Sequence, residues 1–264
     1  PVDLSATNLR RAELRGLDLR GVNIDRGSRG DIVEPPSPGS NNWAVAGRLT
    51  ESGRALVSND MHLGHRNPNI WYQARLTVAG PEAMEVAGVT LPGGPFVVSG
   101  SNTRVAWAYT NSYGDWVDAV LIRAGAREGT YRTPEGDREF ELHLETIEVR
   151  DDDAVEYTVR ETIWGPILDD VDYPQGEIAV SWIAHKPEGI NFRLFDIERA
   201  ASVTEALDIA NTIAMPPQNF VAGDAQGNIG WTIAGKIPRK SAFDPMLPAD
   251  SAGVLFALDA AANT

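Results

Sequence analysis

Cysteine is absent from all 264 residues, which excludes disulfides, thiolate metal centres and a cysteine nucleophile. Positive charge is scarce: 23 Lys and Arg stand against 37 Asp and Glu, a formal net charge of −14. Phosphate backbones and anionic lipid surfaces are bound through clustered Lys and Arg, so this balance speaks against nucleic acid and acidic membrane as partners. No apolar run approaches the roughly 20 residues that a membrane-spanning helix needs. No basic n-region or hydrophobic h-region follows Pro1-Val2-Asp3. With no initiator methionine either, Pro1 is expected to be an internal residue of a longer gene product, and the missing signal says nothing of export.

What is present is an ordinary globular composition, 42% apolar, on a chain long enough to bury a substantial core. Charge is unevenly spread. Residues 1–39 hold six arginines (Arg10, Arg11, Arg15, Arg20, Arg26, Arg29) and six acids, so the acidic excess lies beyond Gly39. A five-residue recurrence (Asn8-Leu9, Glu13-Leu14, Asp18-Leu19, Asn23-Ile24) fits a few coils of a pentapeptide solenoid or a short helix followed by extended chain. Gly, Pro and Ser then crowd residues 27–39, which read as a linker. A boundary is therefore expected between residues 1–39 and residues 40–264.

Beyond Ser40 the pattern is strand-rich α+β. Trp43–Leu49 and Arg54–Ser58 flank Glu51-Ser52-Gly53, a hairpin signal. Further strands are expected over Ile70–Val78, Met84–Leu91, Pro95–Val98, Arg104–Thr110, Ala154–Ile163 and Glu177–Ala184. Phe140, Leu142 and Leu144 alternate with Glu141, His143 and Glu145, the period of a half-buried strand. One clear helix, Ser202–Ile213, opens on a capping box made by Ser202 and Glu205. Asp151-Asp152-Asp153 reads as a solvated turn.

The chemically suggestive stretch is Gly39-Ser40-Asn41-Asn42-Trp43. A serine freed at its own amino group carries nucleophile and base on one residue, because an α-amine titrates near neutral pH. Gly39 suits such a cleavage, since a residue without Cβ tolerates a strained peptide and close approach of the serine. Alone, Gly-Ser-Asn is only a turn. The flanking sequence decides between them. Residues 40–76 (SNNWAVAGRLTESGRALVSNDMHLGHRNPNIWYQARL), 107–122 (WAYTNSYGDWVDAVLI) and 216–239 (PPQNFVAGDAQGNIGWTIAGKIPR) together resemble the penicillin acylases. These are N-terminal-nucleophile serine amidohydrolases whose relatives cleave cephalosporin side chains and N-acyl homoserine lactones.

The resemblance implies a four-layer αββα sandwich, here partial. Residues 1–39 would be the α-subunit tail and processed spacer, and residues 40–264 the first part of the β subunit. Family β subunits run further than this chain, so the remaining α and β portions are expected as partners. The resemblance also implies self-cleavage at Gly39-Ser40 and hydrolysis of a linear N-acyl amide through an acyl-serine. Ser40 would be the nucleophile and His62 a neighbour of its amine. Asn219 and the backbone N–H of Asn111 would stabilise the oxyanion, and Arg239 would buttress the site. Leu63 and Phe96 are expected beside an apolar acyl group. Asp115, the carbonyl of Val117 and Asp118 would hold a structural calcium ion, with Asp224 as a further candidate ligand. A periplasmic or secreted location is implied likewise.

Other readings stay open on the residues. His62 and His65 are spaced as a zinc pair, but they lack the glutamate of HExxH and a clear third ligand. Gly93-Gly94 and Gly100 sit outside any strand–GxGxxG–helix setting, so no organic cofactor or nucleotide is expected. A non-catalytic, calcium-dependent, strand-rich binding module and an unprocessed scaffold are the two rival functions.

Overall fold

Side chains alternate between faces along a strand, and this alternation builds a sheet with two unlike surfaces. The computed structural model describes residues 40–61, 63, 67–81, 83–169, 171, 173–239, 247–253 and 257–258. Strands β1 (Asn41–Val45) and β2 (Leu56–Asp60) form the expected antiparallel hairpin, with Asn41 opposite Asp60 and Val45 opposite Leu56. The expected Trp43–Leu49 strand stops early because Gly47–Leu49 closes into a 3-10 turn. There Gly47 N–H donates to the Gly227 carbonyl at 2.9 Å, and a Cβ on Gly47 would strike the backbone of Gly53 and Gly227.

The largest sheet has six antiparallel strands. It comprises β3 (Tyr72–Val78), β4 (Met84–Thr90), β5 (Ser99–Ser101), β6 (Val105–Asn111), β13 (Gln218–Asp224) and β14 (Ile229–Ala234), in the order β14-β13-β6-β5-β4-β3. The expected Pro95–Val98 strand is displaced to β5. Pro95 has no N–H to give a ladder, and the Val97 N–H donates instead to the buried Glu198 carboxylate at 2.8 Å. One face of the sheet presents Val86, Val105, Trp107, Tyr109, Phe220 and Ala222, all buried. They pack on the short helix α1 (Leu194–Ile197) and on α2 (Val203–Ala210).

Helix α2 is shorter than expected, ending at Ala210, but its start follows the capping box. Ser202 Oγ accepts from Glu205 N–H at 3.2 Å, and Glu205 Oε2 accepts from Ala201 N–H at 2.8 Å. Gly230 lets the helix approach, since a Cβ there would meet Val203 and Leu207. Asn102 ties helix to sheet: its Nδ2 donates to the carbonyls of Glu198 and Ala200, and its Oδ1 accepts from the N–H groups of Arg104 and Val105. The hydrogen bonds of a buried asparagine offset the cost of taking its amide out of water. The Tyr109 hydroxyl, by contrast, is buried without a partner among the described residues, and burial pushes its pKa above the usual phenol range.

A second core gathers around β7 (Val117–Ile122), β12 (Glu177–Trp182) and β16 (Ala249–Asp250), ordered β12-β7-β16. Val120, Ile122, Tyr131, Trp164, Ile167, Ala179 and Ala249 fill it. Two ribbons project nearby: β8 (Thr130–Thr133) with β9 (Gly136–Glu139), and β10 (Glu141–Ile147) with β11 (Val155–Glu161). Finally β15 (Pro238–Arg239) pairs with β17 (Ala257–Leu258).

The alternation at residues 140–145 gives the expected strand but not the expected burial. Phe140 reaches the second core, its ring 4.8 Å from that of Tyr131, whereas Leu142 and Leu144 are each 64% exposed. A two-stranded ribbon buries a face only where another layer meets it. All described residues belong to one compact unit, strand-rich and α+β.

Candidate active site

The face of the six-stranded sheet opposite the helices carries the site. Gly223 points there, and a Cβ on it would meet Ala55 and Val57, so the β1-β2 hairpin lies directly over β13 and β6. Asparagine amides attach the two layers. Asn42 Nδ2 donates to the Ala108 and Asn219 carbonyls at 3.3 and 3.4 Å. Asn59 Nδ2 donates to the carbonyls of Asn41 at 3.1 Å and Tyr109 at 2.9 Å. Asn41 Nδ2 donates to Asp60 Oδ2 across the hairpin at 3.1 Å. Ser40, half-buried, leads directly into this clamped strand.

Asn219 and Asn111 are brought together. Gln218 is opposite Asn111 in the β13–β6 ladder, and Asn219 Nδ2 donates to the Asn111 carbonyl at 3.1 Å. Trp231 Nε1 donates to Asn219 Oδ1 at 3.1 Å. Beyond the strand end, Ser112 Oγ donates to the Pro217 carbonyl at 2.6 Å and holds the two chain segments together.

Leu63 is 45% exposed, and Phe96 packs edge-on to Phe195 with ring centroids 5.6 Å apart, on the helix-side core. Arg239 lies on β15, opposite Ala257. Gly39, His62 and His65 lie outside the described residues. Asn42, Asn59 and Trp231 were not singled out in the sequence. Their roles depend on which strands become neighbours, and only the Asn41-Asn42 and Ser58-Asn59-Asp60 clusters hint at them.

The aspartates sort into two kinds. Asp118 is buried on β7 opposite Ser181, Val117 opens the same strand, and Asp115 is exposed just before it. Two carboxylates and a carbonyl fit a hard, oxygen-seeking cation in kind, and supply part of the six to eight donors that calcium takes. Asp118 also lines a cleft of about 340 Å³ with Glu188 and Lys186. Among the described residues, no three His, Asp or Glu side chains converge as a metal cluster. Asp224 is committed elsewhere: its oxygens accept from Gln226 N–H, Asn228 N–H, Asn228 Nδ2 and Val203 N–H, all within 3.2 Å. It caps α2 and shapes the turn after β13. A larger cavity, about 840 Å³, lies beside the second core; it is lined by Thr130, Phe140, Leu142 and Arg160 among others, and by none of the expected catalytic residues.

The hairpin led by Ser40 and the paired strands beneath it lie within a stretch that matches a known family. Residues 3–255 match the family model of penicillin amidase. The chain belongs to the penicillin amidase family. The acyl-homoserine lactone acylase QuiP of Pseudomonas syringae pv. syringae is 31% identical over 215 residues, which is 79% of this chain and 26% of that protein. The penicillin acylase 2 proenzyme of a Pseudomonas species is 28% identical over 224 residues, covering 83% of this chain and 28% of the proenzyme. A solved penicillin G acylase from Alcaligenes faecalis superimposes with a TM-score of 0.71 at 25% identity, over 83% of this chain and 40% of that one. The chain thus spans about a quarter of the length of the curated relatives it matches. Its fold is that of the N-terminal-nucleophile hydrolases. The described residues contribute the helix layer, the six-stranded sheet and the hairpin that lies on its other face.

Proposed function

We propose that this chain carries the nucleophile-bearing part of an acylase that cleaves itself at Gly39-Ser40 and then hydrolyses a linear N-acyl amide. The observation that carries the reading is the placement of Ser40 at the head of the clamped hairpin, over strands that bring the Asn219 amide to Asn111. Cleavage of the Gly39–Ser40 peptide bond frees the Ser40 α-amine. Ser40 Oγ attacks the substrate carbonyl, and the amine takes the hydroxyl proton. The carbonyl oxygen becomes an oxyanion held by an Asn219 Nδ2–H and the Asn111 N–H. Collapse expels the substrate amine, which receives that proton. Water then attacks the acyl-serine ester, releasing the carboxylic acid and restoring Ser40.

His62 would orient the α-amine and Arg239 would support the site from β15. Leu63 would offer apolar surface to the acyl group, which favours an apolar acyl chain, whereas Phe96 packs on the helix-side core. The relatives named above suggest β-lactam side chains and acyl homoserine lactones as substrates to try. Calcium at Asp115, Val117 and Asp118 would be structural, supplying charge neutralisation around a buried carboxylate and taking no part in the chemistry. Further α- and β-subunit segments would be the partners, in a periplasmic or secreted enzyme.

Intact mass spectrometry of the full-length gene product, beside its Ser40→Ala variant, tests this. A cut between Gly39 and Ser40 in the wild type alone is the expected result. A folded, uncut wild-type chain would overturn the self-activating mechanism and bring forward a calcium-dependent binding module.

A further inference from the structure

Trp231 occupies a position that packing does not account for. It is 60% exposed, yet its indole nitrogen makes a directed bond to a side chain of the candidate site. Trp231 is opposite Val221, and Asn219 lies two residues further along β13 on the same face. That is the diagonal relation within reach of a large aromatic side chain.

Both partners of the Asn219 amide have a single hydrogen-bonding role. The indole N–H can only donate, and the Asn111 carbonyl can only accept. Turning the amide over would set its NH₂ against the indole N–H and its oxygen against the Asn111 carbonyl. Two bonds would be lost and two repulsions gained. The amide therefore has one orientation. Nδ2 carries two hydrogens, of which one goes to the Asn111 carbonyl. The planarity of the amide then fixes the direction of the second.

We infer that Trp231 is a positioning residue for the oxyanion donor: its N–H locks the Asn219 amide so that a second Nδ2–H is held ready for the substrate oxygen. The inference rests on the reading of Asn219 given above. Its physical basis is preorganisation. A donor already aimed at developing charge costs nothing to reorient when the charge appears, whereas a freely flipping amide presents its oxygen part of the time.

The test uses the full-length, processed enzyme and an acyl p-nitroanilide as probe. Asn219→Ala, Trp231→Phe and the double variant are compared by kcat and KM, with thermal unfolding of each. Phenylalanine keeps the aromatic bulk and removes only the donor. Trp231→Phe is expected to lower kcat about 3- to 10-fold, the worth of one hydrogen bond, with KM and melting temperature unchanged. The double variant is expected to be no slower than Asn219→Ala, because the indole then has nothing left to orient. If Asn219→Ala is slow but Trp231→Phe keeps full kcat, alters KM alone, or multiplies the loss in the double variant, the positioning role is overturned while the oxyanion reading stands. If Asn219→Ala itself keeps full kcat, the oxyanion reading falls and this inference with it.

Discussion

The two faces of the six-stranded sheet come from the same strands, yet their covering layers are attached in different ways. Toward the helices, Trp107, Tyr109, Phe220 and Ala222 interlock with α1 and α2 and are buried. Toward the hairpin, the next residues along the same strands are Ala108, Thr110, Asn219 and Val221, and asparagine amides attach the layers. Apolar burial is non-directional and contributes roughly 1.5–3 kcal/mol for each large side chain. Hydrogen bonds contribute less, about 0.5–1.5 kcal/mol net, but they fix direction. One face therefore supplies stability and the other supplies geometry, which is the division that the proposed site needs.

The sharpest way to break this comparison is to exchange the costs. Phe220 is fully buried, with its ring 5.0 Å from that of Tyr109. Phe220→Ala is expected to destabilise by about 3–5 kcal/mol, read as a lower midpoint in urea unfolding. A loss under about 1 kcal/mol would mean that the helix-side core is not where stability resides.

Asn219→Ala should behave in the opposite way. Removing one oxyanion donor costs on the order of 10²–10³ in kcat, or about 2.7–4 kcal/mol of barrier, while the folded state loses only partly exposed bonds. Unfolding should shift by no more than about 1 kcal/mol. A variant that unfolds easily but retains kcat would place Asn219 with the structural residues and dissolve the contrast between the faces.

Much of this was legible in the sequence where the cause is local. The hairpin followed from Glu51-Ser52-Gly53, and the helix start from Ser202 and Glu205, because turn and cap chemistry act within a few residues. The family likeness was carried by three blocks quoted from the chain itself. What could not be read locally was which face of each strand is covered. Leu142 and Leu144 have the same alternation as buried residues, but burial depends on a second layer that no periodicity reveals. The bond from Trp231 to Asn219 depends on the β13–β14 register, in which a slip of one residue would turn Trp231 to the helices. Asn42 and Asn59 became visible only once β1 and β2 were laid over carbonyls of β6 and β13, between 50 and 177 residues away in sequence.

Asp224 sharpens the comparison at its weakest point, because it is a charged group on the packed face. It is 3% exposed and sits against the N-terminus of α2, where a carboxylate is favoured by the helix dipole. Burial alone would raise its pKa. The bonds from the Asn228 side chain and from the Asn228, Val203 and Gln226 N–H groups outweigh burial and hold it below the usual carboxylate value. A group with a depressed folded pKa is protonated first in the unfolded chain. Its contribution is therefore complete above the unfolded value, near ~4, and is lost as pH falls toward the lower folded value. Asp224→Asn removes the charge and turns an NH₂ toward donors that expect an acceptor, so a loss of about 1–3 kcal/mol is expected at pH 7. That gap between wild type and variant should narrow when urea unfolding is repeated below about pH 4, since the wild type is then losing its own carboxylate. A gap independent of pH would assign the cost to shape rather than charge, and Asp224 would join its apolar neighbours as one more packed residue.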